Sequence, residues 1–209
     1  IYHMNTLQFL SNPKSWIYLM NENKTNLTVG PGSAYEACTR IFSEEEAKEI
    51  DFSFATHLMN GSEYVSPETI ENFRKMFNVP KDAAAPGYGL AECVCLATVA
   101  GQDYRVIGVD YEKYQDNKIV LSNEDDAKQI VSLGRPVEGL KIVIGNPKTR
   151  KSYDELRIGE IFIQGPNVAG GYWGDISDNK NFHFRLEDQD GEFYRSGDLG
   201  FLYEGNLYI

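Results

Sequence analysis

The chain has 209 residues, of which 42% are hydrophobic and 24% are charged, a composition typical of a globular protein with one large domain or two small ones. Its formal net charge of −11 argues against a nucleic-acid-binding surface, because backbone binding depends on clustered lysine and arginine. No apolar run approaches the roughly 20 residues needed to cross a bilayer and no basic-then-apolar leader is present, so we expect no membrane span and a cytoplasmic location.

Cysteine usage gives no indication of a zinc site. Of the three cysteines, Cys93 and Cys95 lie two residues apart and Cys38 lies far upstream. A single Cys-x-Cys pair without a second pair or nearby histidines is not the spacing of a tetrahedral metal site. We therefore expect reduced thiols.

The first fifty residues are predicted to form short helices and one strand. Trp16–Met20 favours a helix segment around Pro13, and Leu27–Val29 favours a strand that ends at Gly30-Pro31-Gly32. A second helix is predicted by apolar residues at helical spacing, which are Ala34, Tyr35, Cys38, Ile41 and Phe42. A capping box at Ser43 and Glu46 predicts a third, acidic helix.

A strand–helix–strand pattern follows. Phe54–Met59 is predicted as a buried strand and Ala83–Pro86 as the next one. Between them Ser66 is a good N-cap, Pro67 suits the first helical position, and the helical apolar stripe consists of Ile70, Phe73, Met76 and Phe77. This is a βαβ unit, so the two strands should be parallel with a right-handed crossover.

Polar, glycine-bearing loops follow both predicted strands. They are Asn60-Gly61-Ser62-Glu63 and Gly87-Tyr88-Gly89-Leu90-Ala91-Glu92. Because open α/β sheets bind ligands at the carboxyl ends of their strands, we expect both loops at one crevice. Glycine permits close backbone approach, a tyrosine ring covers a flat group, and a carboxylate suits Mg²⁺. The alternative is a strand-to-helix turn whose glycines only relieve crowding.

The remainder of the chain is predicted to be rich in β-structure. Tyr104–Val109 and Lys118–Leu121 favour strands in an irregular excursion. From residue 132 short alternating strands and turn residues recur, and these predicted strands are Leu140–Ile144, Gly159–Gln164, Glu192–Arg195, Phe201–Tyr203 and Leu207–Ile209. The fold class predicted is α/β: part of a mostly parallel βαβ sheet over 1–130, then a small antiparallel β subdomain, a distorted barrel, over 131–209.

Several of these segments resemble one enzyme superfamily. Tyr88-Gly89-Leu90-Ala91-Glu92 resembles the signature loop of the adenylate-forming enzymes, and its Ala-Glu ending resembles the fatty-acyl-AMP ligase branch. Asn60–Glu63 is similar to that family's Asn-Gly-Ala-Glu turn, with Tyr64 where a proline is common. Tyr194–Gly200 resembles its Arg-Thr-Gly-Asp-Leu motif, with Ser196 in place of threonine. The block Gly159–Trp173 is also family-like, and we assign it packing but no chemistry.

The resemblance implies a role for each matching residue. Glu92 would be catalytic and would hold Mg²⁺. Asp198 would accept hydrogen bonds from both ribose hydroxyls, although an Asp beside a Gly is also a common turn residue. The residues implied to bind ATP are Asn60, Gly61, Ser62, Glu63, Gly87, Tyr88, Gly89, Leu90, Ala91, Asp198 and Ile209. Tyr35, within Gly30–Cys38, would contribute to an acyl pocket or, alternatively, only to the core.

The function implied is ATP-dependent adenylation of a fatty acid, followed by acyl transfer to an acyl carrier protein or a polyketide or peptide synthetase module. An acyl-CoA synthetase, a synthetase adenylation domain and a non-catalytic nucleotide-binding scaffold are the alternatives. A branch-specific insertion is expected at 100–123. The family's phosphate-binding loop is not found in the chain, which starts at Ile1 and ends on a strand-like segment, so we expect a middle fragment of a longer enzyme, inactive alone.

Overall fold

A computed structural model describes residues 1–101, 104–110, 112, 117–174 and 178–209. The chain forms two compact units. The first unit comprises Ile1–Pro86 with Gly101–Tyr104, and the second comprises Gly87–Ala100 with Arg105–Ile209. The predicted domain division at 130 and 131 falls inside a strand, Lys128–Val131, and the domain boundaries of the full-length protein stay a prediction.

The helices of the first unit agree with the sequence patterns, except for the first helix, which the patterns did not predict. They are α1 (Thr6–Ser11), α2 (Lys14–Glu22), α3 (Gly32–Ile41), α4 (Glu44–Ala47) and α5 (Pro67–Met76). The predicted capping box of Ser43 and Glu46 opens α4, and the Ser66 side chain accepts from the Thr69 N–H at the start of α5. Within the described ranges, no helix is both long enough and apolar enough to span a membrane.

The first unit contains a parallel sheet. β1 (Leu27–Gly30) pairs with β2 (His57–Asn60), which pairs with the Ala84–Pro86 part of β3 (Ala84–Tyr88). The parallel βαβ unit β2–α5–β3 is therefore confirmed.

Three strand limits in this region were predicted wrongly. The strand predicted to start at Phe54 starts at His57, because Ala55 donates to the Phe52 carbonyl and so closes a turn before pairing begins. Asn60 ends β2 instead of starting a turn, and Gly87 and Tyr88 lie in β3 instead of a loop.

An aromatic cluster holds the helices of the first unit on its sheet. Phe73 of α5 packs edge-to-face on Tyr35 of α3, with ring centroids 4.8 Å apart, and Phe77 packs edge-to-face on Phe42 at 5.2 Å. All four side chains are at least nine-tenths buried. Burying each contributes about 2–3 kcal/mol, so apolar packing is a main contribution to the positions of α3 and α5.

The second unit is built from antiparallel strands, which the sequence predicted for its part from residue 131 onwards. They are β4 (Thr98–Val99), β5 (Val106–Val109), β6 (Lys128–Val131), β7 (Arg135–Pro136), β8 (Lys141–Asn146), β9 (Lys151–Ser152), β10 (Gly159–Gln164), β11 (Tyr194–Tyr203) and β12 (Asn206–Tyr208). The main sheet has the order β12-β11-β10-β8-β9. The end of β3 pairs with β4, β4 pairs with β7, and β5 pairs with β6.

The predicted strand at Lys118–Leu121 is wrong. Ile119 donates to the Leu156 carbonyl, whereas Val120 accepts from the Asp110 N–H, so the segment divides its hydrogen bonds between partners and makes only isolated bridges. Part of the predicted insertion, residues 102, 103, 111 and 113–116, lies outside the described residues.

A bulge interrupts β11. Arg195 is opposite Phe162 and Leu199 is opposite Glu160, so three residues of β11 lie beside one residue of β10. The extra residues are accommodated at Gly197, whose φ is +81°. The sequence predicted two separate segments here. The structure instead has one strand whose bulge points Asp198 outwards, as bulges beside functional sites commonly do.

Candidate functional site

The signature loop turns back on itself between β3 and β4. It contains a 3-10 helix at Ala91–Cys93, and then Val94 and Cys95 take left-handed backbone angles with φ of 55° and 82°. A Cβ on Gly89 would lie 1.6 Å from the Cys95 carbonyl oxygen. The turn therefore requires glycine at this position because the two chain segments touch there.

Tyr88 and Asp198 are brought into direct contact. The Tyr88 hydroxyl donates a 2.6 Å hydrogen bond to Asp198 Oδ2. Burial, together with the neighbouring Asp198, raises the pKa of Tyr88, so the phenol remains a proton donor. Its ring packs against an apolar cluster that includes Cys93 and Ala97. A ring and a carboxylate far apart in sequence thus stand side by side.

The bulge in β11 holds Asp198 in place. The Ser196 hydroxyl donates to the Ile161 carbonyl at 2.9 Å and accepts from the Asp198 N–H at 3.1 Å. Just before the bulge, Arg195 makes a two-pronged ion pair with the buried Glu160, at 3.0 and 2.9 Å. The carboxylate of Asp198 remains exposed while its backbone is fixed from both sides.

The carboxylate of Glu92 is held by a hydrogen bond from a tyrosine. The Tyr172 hydroxyl donates to Glu92 Oε1. This hydrogen bond is the main reason that the pKa of Glu92 is lowered, with a smaller contribution from Tyr194, while partial burial opposes the shift. The carboxylate is therefore ionised at neutral pH, which is the form that binds a cation.

Sequence reasoning missed Tyr172 and Tyr194. The block Gly159–Trp173 was expected to provide packing only, yet Tyr172 contacts the predicted catalytic carboxylate. The signal available was weak: a tyrosine after two glycines, Gly170 and Gly171, in a turn-rich stretch. Nothing in the spacing connects position 172 with position 92.

Within the first unit, the turn after β2 contacts helix α3. Glu63 Oε1 accepts from the Ser33 N–H at the start of α3, where Pro31 provides no side-chain cap. This places a carboxylate at the positive end of the helix. Asn60 is buried, and in the described part of the chain its Oδ1 accepts no hydrogen bond, which leaves an acceptor available to a donor. The predicted roles of Asn60, Gly61, Ser62 and Glu63 towards adenine stay predictions.

Tyr35 lies in the core of the first unit. Its side chain is 3% exposed, its hydroxyl donates to the Met59 carbonyl at 2.9 Å, and its ring packs edge-to-face on Trp16. Burial raises the pKa of the neighbouring Cys38 to about 12, so that thiol stays protonated. The predicted acyl-pocket role of Tyr35 stays a prediction.

The other predicted residues lie near the site motifs. Leu90 packs on the same apolar cluster as Tyr88, while Ala91 is exposed. Ile209 is 36% exposed, and its Cγ1 lies 3.3 Å from the position of a Cβ on Gly200, close in sequence to Asp198. Their contacts with a nucleotide stay predictions.

The donor set suits Mg²⁺ rather than a metal held by protein ligands alone. Among the described residues, no group of three or more His, Cys, Asp and Glu side chains could hold a metal ion. Mg²⁺ is commonly bound by one or two carboxylates together with substrate phosphates and water. A single ionised carboxylate at Glu92 fits that pattern.

A surface groove in the first unit is separate from the predicted residues. It lies between α3, α4 and α5 and carries both acidic and basic side chains, among them Glu36, Arg40, Lys48 and Glu68. Its mixed charge selects no particular ligand.

The fold is that of part of the N-terminal domain of the adenylate-forming enzymes. The chain belongs to the AMP-binding enzyme family, whose model matches residues 2–173. This confirms the family that the motifs predicted.

Individual relatives support the same class. A medium-chain-fatty-acid–[acyl-carrier-protein] ligase, JamA, of Moorena producens is 35% identical over 219 residues, and the match covers all of this chain and 37% of that protein. A 4-hydroxyphenylalkanoate adenylyltransferase of Mycobacterium marinum is 31% identical, with 99% of this chain and 35% of that protein covered. A crystal structure of a fatty acyl-adenylate ligase from L. pneumophila, in complex with acyl adenylate and pyrophosphate, matches with a TM-score of 0.91 at 32% identity, over 99% of this chain and 37% of that one. The chain therefore spans little more than a third of the length of these relatives.

Proposed function

We propose that this chain is part of an enzyme that activates a fatty acid with ATP, producing acyl-adenylate and pyrophosphate, and then transfers the acyl group to an acyl carrier protein. The observation that carries the proposal is the hydrogen bond between Tyr88 and Asp198. Tyr88 precedes the ionised Glu92 by four residues in the sequence. Tyr88 at the end of β3 is suited to a base, Asp198 on β11 to a ribose, and Glu92 in the loop after β3 to a phosphate-bound cation.

The proposed reaction brings two anions together. A carboxylate oxygen attacks the α-phosphorus of ATP, and the bond from that phosphorus to the bridging oxygen breaks, so pyrophosphate leaves with the electron pair. Positioning and charge stabilisation supply most of the catalysis in phosphoryl chemistry. When bound, Mg²⁺ would neutralise phosphate charge, and Glu92 is the residue that would hold it.

The nucleoside would be oriented by Tyr88 and Asp198. The Tyr88 ring would cover one face of the adenine while its hydroxyl fixes Asp198 Oδ2. In the part of the chain that the structure describes, Asp198 Oδ1 accepts no hydrogen bond, so it is available to the ribose hydroxyls. Ala91 has no hydroxyl to offer the α-phosphate, so that contact would come from a backbone N–H.

Pyrophosphate exchange with the full-length protein tests the proposal. Fatty acids of graded length should each promote incorporation of labelled pyrophosphate into ATP, with one range of lengths preferred. A protein that binds ATP but exchanges no pyrophosphate with any carboxylate would be a nucleotide-binding scaffold, and the proposal would be wrong.

The acyl acceptor is tested separately. The relationship to JamA, whose name specifies an acyl carrier protein, supports carrier protein over coenzyme A. Loading of a holo carrier protein should therefore be faster than formation of acyl-CoA under matched conditions. Faster acyl-CoA formation would indicate an acyl-CoA synthetase.

A further inference from the structure

The segment 167–172 donates hydrogen bonds to the signature loop from Asn167, Ala169 and Tyr172. Asn167 Nδ2 donates to the Cys93 carbonyl at 3.0 Å, the Ala169 N–H donates to the Glu92 carbonyl at 2.7 Å, and the Tyr172 hydroxyl donates to Glu92 Oε1. Both the backbone and the side chain of Glu92 are therefore held by one short piece of chain.

Tyr172 is itself held in position. Its N–H donates to Asn179 Oδ1 at 2.7 Å, and its ring packs edge-to-face on Phe182 with centroids 5.1 Å apart. A Cβ on Gly171 would lie 2.9 Å from the Asn179 side chain, so the glycine makes room for that contact. A hydroxyl mounted on a fixed ring points at Glu92 with little rotamer freedom to lose.

The loop that these contacts hold is conformationally strained. Val94 and Cys95 are consecutive non-glycine residues in the left-handed region. Such backbone angles are unfavourable for a residue with a Cβ and persist only where the surroundings impose them. The Asn167 bond at Cys93 lies next to these two residues and provides part of that restraint.

We propose that the segment 167–172 is a clamp that fixes the orientation of Glu92, and that Tyr172 is its positioning residue. The inference rests on the proposed function, because it assigns the orientation of the carboxylate that would hold Mg²⁺. By occupying Oε1, the Tyr172 hydroxyl directs Oε2 towards the cation. Hydrogen-bond partners behind a metal ligand typically change metal affinity about 10–100-fold.

Tyr172→Phe in the full-length protein tests the clamp, since it removes one hydroxyl and keeps the ring on Phe182. We expect the Mg²⁺ concentration for half-maximal pyrophosphate exchange to rise about tenfold, with the rate at saturating Mg²⁺ within about threefold of wild type. Binding of Mn²⁺ in the presence of α,β-methylene-ATP, followed by electron paramagnetic resonance without turnover, should weaken by a similar factor.

Tyr153→Phe is the matched control, because that hydroxyl only accepts a 3.0 Å hydrogen bond from Asn146. It should leave both metal measurements unchanged. If Tyr172→Phe fails to fold by thermal melting, Asn167→Leu tests the clamp through its other side-chain contact, because it removes the bond to the Cys93 carbonyl and leaves Tyr172 in place. The Mg²⁺ requirement should again rise, and an unchanged requirement would overturn the clamp.

The outcomes separate the two proposals. A wild-type protein without carboxylate-dependent exchange would contradict the proposed function. If the wild type is active and Tyr172→Phe has the same Mg²⁺ dependence as the wild type, the clamp is wrong and the proposed function is unaffected. A drop in the saturated rate without any change in metal affinity would also overturn the clamp.

Discussion

Glu92 is the residue on which the proposed chemistry depends most. Glu92→Gln removes the charge but leaves a side-chain oxygen that still accepts from Tyr172. Because a bound cation supplies several kcal/mol of charge stabilisation, we expect pyrophosphate exchange to fall by about two orders of magnitude or more. The melting temperature should stay close to that of wild type. An exchange rate near normal would remove Glu92 from the mechanism.

Tyr88 and Asp198 should act as a coupled pair. Asp198→Asn removes the negative charge that would accept hydrogen bonds from the ribose hydroxyls. Hydrogen bonds to a charged group are worth about 1.5–3 kcal/mol each, so we expect the preference for ATP over 2′-deoxy-ATP to fall about tenfold or more. Tyr88→Phe keeps the ring and frees Asp198, so the preference should fall by a few-fold. In the double variant the losses should be less than additive, because the 2.6 Å bond can be removed only once.

The double-mutant cycle is read from kcat/KM for the two nucleotides in the exchange assay. Tyr18→Phe, an exposed tyrosine on α2, is a control that should change nothing. Fully additive effects of Tyr88→Phe and Asp198→Asn would contradict the coupling.

At the scale of elements, the hairpin from β3 to β4 depends on one close approach. Gly89→Ala places a Cβ against the Cys95 carbonyl, with 1.6 Å of separation before any relaxation. We expect a loss of about 3 kcal/mol in the free energy of unfolding and loss of nucleotide binding.

Gly101→Ala is the matched control for this hairpin prediction, because a Cβ there would meet no heavy atom of the described residues within 4 Å. Its free energy of unfolding should change by less than about 0.5 kcal/mol. Urea denaturation of both variants makes the comparison. Equal stability of the two would show that the hairpin opens to accept the methyl group.

Elements with a strong local signal were predictable, and contacts between distant elements were not. The Ser66 cap, the Ser43 capping box and the strand Gly159–Gln164 follow from neighbouring residues, and all are confirmed. The bulge at Gly197 was missed because it depends on how β11 is aligned with β10. The pairing of Tyr172 with Glu92 spans 80 residues, and no local pattern encodes it.

At the scale of the whole molecule, several carboxylates are held ionised by hydrogen bonds. Lys14, with help from Ser43, lowers the pKa of Glu46 from 4.5 to about 2. Hydrogen bonds from Ser53, Ser152 and Arg185, respectively, are the main causes of lowered pKa values at Asp51, Asp188 and Glu192. A group with a depressed folded pKa stabilises the fold above its unfolded pKa, and this contribution is lost as the pH falls through the folded pKa.

Acid should therefore destabilise the protein in a defined window. We expect the urea concentration at the midpoint of unfolding, measured by tryptophan fluorescence, to be nearly constant from pH 7 to about pH 5. It should then fall from about pH 4.5 towards pH 2. Lys14→Met should make the fall shallower, because the Glu46 carboxylate loses its principal partner. A midpoint that rises on acidification through this range would contradict the assignment.

Strand β11 serves both halves of the second unit's site. Tyr194, at its start, lies beside Glu92, and Asp198, on its bulge, contacts Tyr88. One stretch of backbone therefore sets the spacing of both groups. Among homologous enzymes, insertions and deletions should avoid positions 194–198 even where neighbouring loops vary in length, whatever acid each enzyme selects. An insertion or deletion there would move either Tyr194 away from Glu92 or Asp198 away from Tyr88.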